Sequence, residues 1–178
     1  MKKVFALVLA LAMMLVLVLA VPASADTSVA LTADGPDQGY ALDVGTIDIT
    51  DDGADVTIDI TITDSDWILL EAHADVQDTA AQIPQTKNGN PKVGKFAQAD
   101  EWLIEDAQTS AQFVFAAVNG GADGTVAIAV HCVVAHQVEI LVDDEPVLVW
   151  ETETAWIDGT QFAGKDWGMY LAYVLLVD

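Results

Sequence analysis

The stretch VGTIDITDDGADVTIDITIT, residues 44–63, decides the fold class. In its first half Ile47 and Ile49 share one face while Thr46, Asp48 and Thr50 share the other. In its second half Val56, Ile58, Ile60 and Ile62 alternate with Thr57, Asp59, Thr61 and Thr63. Successive side chains of a strand point to opposite faces, so this period of two predicts two strands, each with one apolar and one wet face. The DDGA segment at 51–54 supplies Asp and Gly where a tight turn needs them, and the pair reads as a β-hairpin.

The same pattern continues on both sides. Upstream, VALTA (29–33) is a short strand closed by the turn residues Asp34 to Asp37. Downstream, WILLEAHADV (67–76) is a third strand of a meander. Strict alternation turns Ile68, Leu70, Ala72, Ala74 and Val76 inward and Trp67, Leu69, Glu71, His73 and Asp75 outward. A helical turn is expected over 79–83, and the Pro-, Gly-, Asn- and Lys-rich residues 84–95 read as a long loop. Residues 102–104 carry no decisive pattern. Further strands are expected at 111–118, 125–142, 147–151 and 168–177. The strand at 125–142 is apolar on both faces, which marks a central strand or one covered by another element. Eight or so strands without a long amphipathic helix predict an all-β fold, an antiparallel β-sandwich of Ig-like or jelly-roll-like type with long loops.

The N-terminus carries Lys2 and Lys3, an apolar run from Val4 to Ala20, and small residues up to Ala25. This is the pattern of a cleaved secretory signal, residues 1–25, with an uncleaved anchor as the rival reading. One β-sandwich domain is then expected over 26–178, secreted, extracellular or at the cell surface, with no membrane segment after cleavage. Loss of Lys2 and Lys3 takes the formal charge from −22 to −24, leaving four lysines, no arginine and 28 acids. Such a field repels phosphate backbones and excludes nucleic acid as a partner. Cys132, the one cysteine, forms no intrachain disulfide and sits among valines, as a small buried hydrophobe does.

Several groups invite a chemical reading. Glu71, His73 and Asp75 share a strand face, but the outer two stand about 13 Å apart, so a solvated face with one charge-paired imidazole is expected. His131 and Cys132 point to opposite faces, and a zinc site with His136 would need a bulge at Ala135 and an outside ligand. Glu151 and Glu153 lie side by side on a strand and do not flank a cleft as a glycosidase pair does. No nucleophile elbow, zincin motif, phosphate loop or EF-hand spacing is present, so no catalytic residue is assigned. Acidic turns at Asp34/Asp37, Asp51/Asp52/Asp55, Asp64/Asp66 and Asp143/Asp144/Glu145 suit calcium, the one ion the composition suggests, although turns are where Asp collects in any case.

The lysines carry more information. Lys87, Lys92 and Lys95 lie in the long loop, and Lys165 lies in the segment FAGKDW at 162–167. One reading has them pair with acids to pin both loops, to the body or to each other. The other has the two loops form a recognition surface with exposed Trp156, Trp167 and Tyr170 for a glycan or protein partner.

IPQTKNGNPKVGKF (83–96), preceded by LLEAH (69–73) and followed by AIAVHCVV (127–134) and ETAWIDGTQFAGKDW (153–167), resembles blocks that occur in the same order in uncharacterised secreted or surface β-rich domains of bacteria and archaea. The resemblance spans residues 44–173. It implies a β-rich extracellular domain and brings no activity or catalytic residue. The functional expectation is an exported, non-catalytic binding or structural module at an extracellular or cell surface. A calcium-assisted carbohydrate-binding module is the alternative, and a secreted hydrolase the weaker one.

Overall fold

A computed structural model describes residues 25–33 and 41–176. Residues 1–24 of the expected signal and the turn at 34–37 lie outside the described residues. Ten antiparallel strands are formed among the described residues: β1 (Ala25–Ala33), β2 (Leu42–Asp51), β3 (Asp55–Ile62), β4 (Trp67–Gln77), β5 (Gln98–Glu101), β6 (Ser110–Ala116), β7 (Thr125–Val142), β8 (Glu145–Ile157), β9 (Thr160–Gln161) and β10 (Met169–Val174). The β2–β3 hairpin has the register that alternation demands. Ile47 opposes Ile60 and Ile49 opposes Ile58, all four fully buried, while Asp48 opposes Asp59 on the wet face.

The strands form one hydrogen-bonded path in the order β5-β4-β7-β8-β1-β2-β3-β6, with β10 added to β7 and β9 to β10. Along that path three residue pairs, Leu31 with Ile157, Thr32 with Trp156 and Ala33 with Ala155, join the β1-β2-β3-β6 half to the rest. The sheet folds back at that junction and nearly closes. The Gln98 side chain of β5 donates to the Val114 carbonyl of β6, and the Leu69 amide of β4 donates to Gln108 just before β6. The result is an all-β, sandwich-like body whose main core takes isoleucines from β2 and β3, Phe113 from β6, and the even-numbered face of β7 from Val126 to Val134.

The register corrects the expected facing of β4. A bulge between Leu69 and Glu71 gives β4 one residue more than its partner β7 over this stretch. Trp67 and Leu69 therefore face the main core together with Ala72 and Ala74, because a one-residue insertion exchanges the two faces of a strand. Two short strands also escape the apolar pattern. β5 reads QADE and pairs with β4 at the sheet's margin, and β9 has two residues. Residues 102–104 lead from β5 into a 3-10 turn at Ile104–Asp106.

The bulge fixes an outcome for adjacent leucines. Leu69→Ala, at a fully buried position, should cost about 2–5 kcal/mol and half-buried Leu70→Ala clearly less. Urea unfolding of both variants measures this, and the opposite ranking would restore the unbroken alternation.

Candidate functional site

The outer face of the β4–β7 layer is roofed by loop. Ile83, Phe96, Ala127, Ala129, Trp156 and Phe162 form a second apolar cluster there, with Val93, Trp167, Met169 and Tyr170 packed half-buried against it. These residues come from the loop after β4, from β7, from the end of β8 and from the segment before β10. The sequence blocks at 83–96, 127–134 and 153–167 thus converge on one piece of structure, with His73 of the fourth block beneath them. The two loops meet directly. Gly89, at φ 86°, brings its backbone against Ala163 and Gly164, and a side chain on Gly164 would collide with Asn90. The Asn90 Oδ1 accepts from the amides of Lys165 (2.7 Å) and Asp166 (3.4 Å).

The lysines are not what joins the loops. Among the described residues the ion pairs are His73–Glu71 and His136–Glu151, and neither involves a lysine. Lys87, Lys92, Lys95 and Lys165 are exposed on the roof, with half-buried Trp167 and Tyr170 beside them. Trp156, expected on a recognition surface, is 5% exposed and packs edge-on against Phe96 and His131. It is a core residue of the roof and has no face to offer a sugar.

The roof also changes the reading of the Glu71, His73 and Asp75 face, which was expected to be solvated. Asp75 is buried, accepting from the Ala97 amide (3.0 Å) and the Gln77 side chain (2.6 Å), so it anchors the far end of the long loop. His73 is buried and lies 3.3 Å from Glu71. Its cross-strand neighbour is His131, with ring centroids 5.8 Å apart. His131 is 8% exposed, and its Nδ1 has no hydrogen-bond partner among the described residues. Burial, and secondarily the neighbouring His73, lower its pKa to about 4, so it is neutral at pH 7. β7 runs without a bulge at Ala135, which leaves Cys132 on the main-core face, away from His131. Burial raises the Cys132 thiol pKa, the opposite of an activated nucleophile.

The acidic turns use their carboxylates locally. Asp51 is buried and accepts from the amides of Gly53 (2.8 Å) and Leu176 (2.6 Å), fastening the chain after β10 to the β2–β3 turn. Asp52 accepts from Asp55 (2.9 Å) and Ala54 (3.0 Å), and these bonds hold its pKa below the usual carboxylate value. Asp64 accepts from the Asp66 amide (3.0 Å). Among the described residues, no three His, Cys, Asp or Glu side chains come together in a way that could hold a metal ion.

A feature that the sequence pattern does not announce is the far half of the β7–β8 hairpin. Among the described residues β4 accompanies β7 only as far as His136, and β1 accompanies β8 only over Ala155–Ile157. Between these limits, from Gln137–Trp150 to Val142–Glu145, the two strands pair, among the described residues, with each other alone and project as a two-stranded ribbon. Its base is held by Trp67, stacked on His136 at 4.1 Å, and by the His136–Glu151 pair at 3.9 Å. Its tip is a two-residue turn with Asp143 and Asp144 both at positive φ. Along it Ile140, Leu141, Val142, Val147, Leu148 and Trp150 are exposed, Leu141 to 70% and Leu148 to 61%. The ribbon carries Glu139, Asp143, Asp144 and Glu145 and no lysine.

No family model matches the chain, and no curated protein and no solved structure matches it.

This geometry sets three outcomes. Asn90→Ala, which removes the side-chain acceptor of two exposed loop amides, should cost about 0.5–1.5 kcal/mol. Lys165→Ala should leave the melting midpoint unchanged, and a drop comparable to that of Asn90→Ala would reinstate lysine pinning. His131 has a folded-state pKa below its unfolded value, so the unfolded chain binds the proton more readily. Its contribution is intact above about pH 6.5 and is lost as the pH falls towards 4, on the order of 3 kcal/mol in all. Urea titrations at pH 7.5 and 5.5 should show a smaller stability difference in His131→Leu than in the wild type. An equal difference would assign the acid sensitivity to other groups.

Proposed function

We propose that the protein is an exported, non-catalytic β-sandwich module that acts by binding a partner or by forming part of an extracellular surface or matrix. The ribbon is the observation that carries this reading. A monomeric soluble protein seldom displays a contiguous run of large aliphatic side chains, and such a patch marks an interaction site. The N-terminal charged and apolar run supports export. A non-catalytic role is supported by what the histidines, the cysteine and Asp75 do, since each is engaged in packing, in an ion pair or in holding the roof. One cleft, lined by Val76, Gln77, Asp78, Gln98, Phe115 and Asn119, offers one carboxylate and no other acid, base or nucleophile to pair with it; in another, lined by Asp59, Asp100 and Ser110, the Asp59 carboxylate is taken up by the Gln112 side chain.

The calcium-assisted glycan reading has less support. It asks for exposed aromatic faces and uncommitted turn carboxylates, and Trp156, Asp51, Asp52 and Asp64 are otherwise engaged. A glycan array run with and without EDTA tests it, and calcium-dependent binding would favour a carbohydrate-binding module over a role carried by the ribbon.

Cell fractionation tests the main proposal. The wild-type protein should be found outside the cytoplasm and retained on the cell surface or in sedimenting extracellular material. The variant Leu141→Thr/Leu148→Thr, with an unchanged circular dichroism spectrum, should be released into the soluble medium fraction. Identical distributions of the two proteins, or a cytoplasmic location for the wild type, would sink it.

A further inference from the structure

The ribbon's chemistry has a complement on the same chain, at a place the ribbon cannot reach. The ribbon is aliphatic and acidic, with Glu139, Asp143, Asp144 and Glu145 and no cationic side chain beyond His136 at its base. The roof carries Lys87, Lys92, Lys95 and Lys165, every lysine of the chain beyond residue 25, exposed and without an ion-pair partner among the described residues. Half-buried Val93, Trp167 and Tyr170 pack against the apolar cluster under the same loops. The roof covers β7 around Ala127 and Ala129 and reaches Trp156, which lies opposite His131. The ribbon tip is eleven residues further along the strand, roughly 35–40 Å away at the rise of an extended chain. The two surfaces therefore do not meet within one molecule.

We infer that the ribbon of one copy docks on the lysine-bearing roof of a second copy, so that the protein assembles head to tail. This rests on the ribbon being an interaction surface, as proposed above, and names its partner. Because the contact joins two different surfaces, each added copy leaves one ribbon and one roof unused, and the assembly propagates into a ring or a filament. A ribbon-to-ribbon contact is disfavoured because it sets four carboxylates against four. Insertion into a lipid bilayer is disfavoured because the leading end is Asp143-Asp144-Glu145. At physiological ionic strength the screening length is about 8 Å, which damps repulsion between the anionic bodies and leaves contact-distance pairs effective.

Sedimentation velocity on the exported protein at about 0.15 M salt tests the inference, with circular dichroism confirming the fold of each variant. The wild type should show a sedimentation coefficient that rises with concentration up to about 100 µM. The ribbon variant Leu141→Thr/Leu148→Thr and the roof variant Lys87→Glu/Lys165→Glu should each be monomeric alone. Mixed in equal amounts they should give a one-to-one dimer and nothing larger, since each retains the surface the other lacks. Glu139→Gln/Glu145→Gln, which leaves the apolar side chains in place, should weaken wild-type association about tenfold. A wild type that stays monomeric, a roof variant that still assembles, or a mixture that fails to pair overturns the inference. If the ribbon variant is nevertheless released from the surface in fractionation, the ribbon still binds, but binds a different partner. If the ribbon substitutions change neither association nor retention, both readings fall.

Discussion

A β-strand that is apolar on both faces needs cover on both, and β7 meets that requirement only along part of its length. From Val126 to Val134 its even-numbered face packs into the main core, while Ala127, Ala129 and His131 lie under the loop roof. The small residues Ala127 and Ala129 let the roof come close, and Trp156, Phe96 and Ile83 fill the space above them. Beyond His136 the strand still carries large aliphatic side chains, Ile140 and Val142 on one face and Leu141 on the other, and no other segment of the described chain covers them. An antiparallel pair at the end of a sheet usually turns polar side chains to water on its open faces. Here aliphatic side chains stand exposed on both faces, and the proposed interaction surface rests on that mismatch.

The roof shows which interactions hold loops together in a chain so short of cations. Pairing four exposed lysines with carboxylates would contribute little, because solvent and salt screen such pairs and ordering long side chains opposes them. The chain uses side-chain acceptors for backbone amides instead. The Asn90 Oδ1 takes two amides of the partner loop, and Asp75 takes the amide of Ala97 where the long loop returns to β5. Asp51 does the same for the chain after β10. Each is a directional hydrogen bond to backbone, which orders less side chain than an exposed lysine pair does. The lysines are thereby left available on the surface.

What could be read from the sequence follows from which patterns local sterics dictate. The β2–β3 hairpin was legible residue by residue, because period-two alternation and turn chemistry are local. The fold class, the paths of β3, β6 and β7, and the junction of the long loop with FAGKDW were also legible. The facing of Trp67 and Leu69 was not, because a bulge at Leu70 depends on the partner strand and leaves no mark in the pattern. The burial of His73 and Asp75 was hidden for a related reason: their cover comes from residues 83–96 and 153–167, distant in sequence. The ribbon was misjudged by a sound rule. A strand over 125–142 that is apolar on both faces reads as central or covered, and only the extents of β4 and β1 reveal that no described part of the chain covers its far end.

The ribbon's acids also bear on how it binds. Among the described residues neither of its outer backbone edges has a neighbouring strand, and exposed edges of this kind invite indiscriminate strand addition. The ribbon is guarded against that. Pro146 presents no amide on β8, Glu139 places a charge on β7, and Asp143-Asp144-Glu145 crowd the tip with like charge. Acids and a proline at an edge discourage edge-to-edge pairing, while the side chains on the two faces remain open to contact. On the proposed reading a partner meets the faces of Leu141, Leu148 and Ile140 and not the backbone. Contact through faces depends on shape and charge complementarity, whereas contact through edges does not. An aliphatic ribbon guarded in this manner can stay exposed without inviting edge-to-edge pairing, which is what the proposed role asks of it.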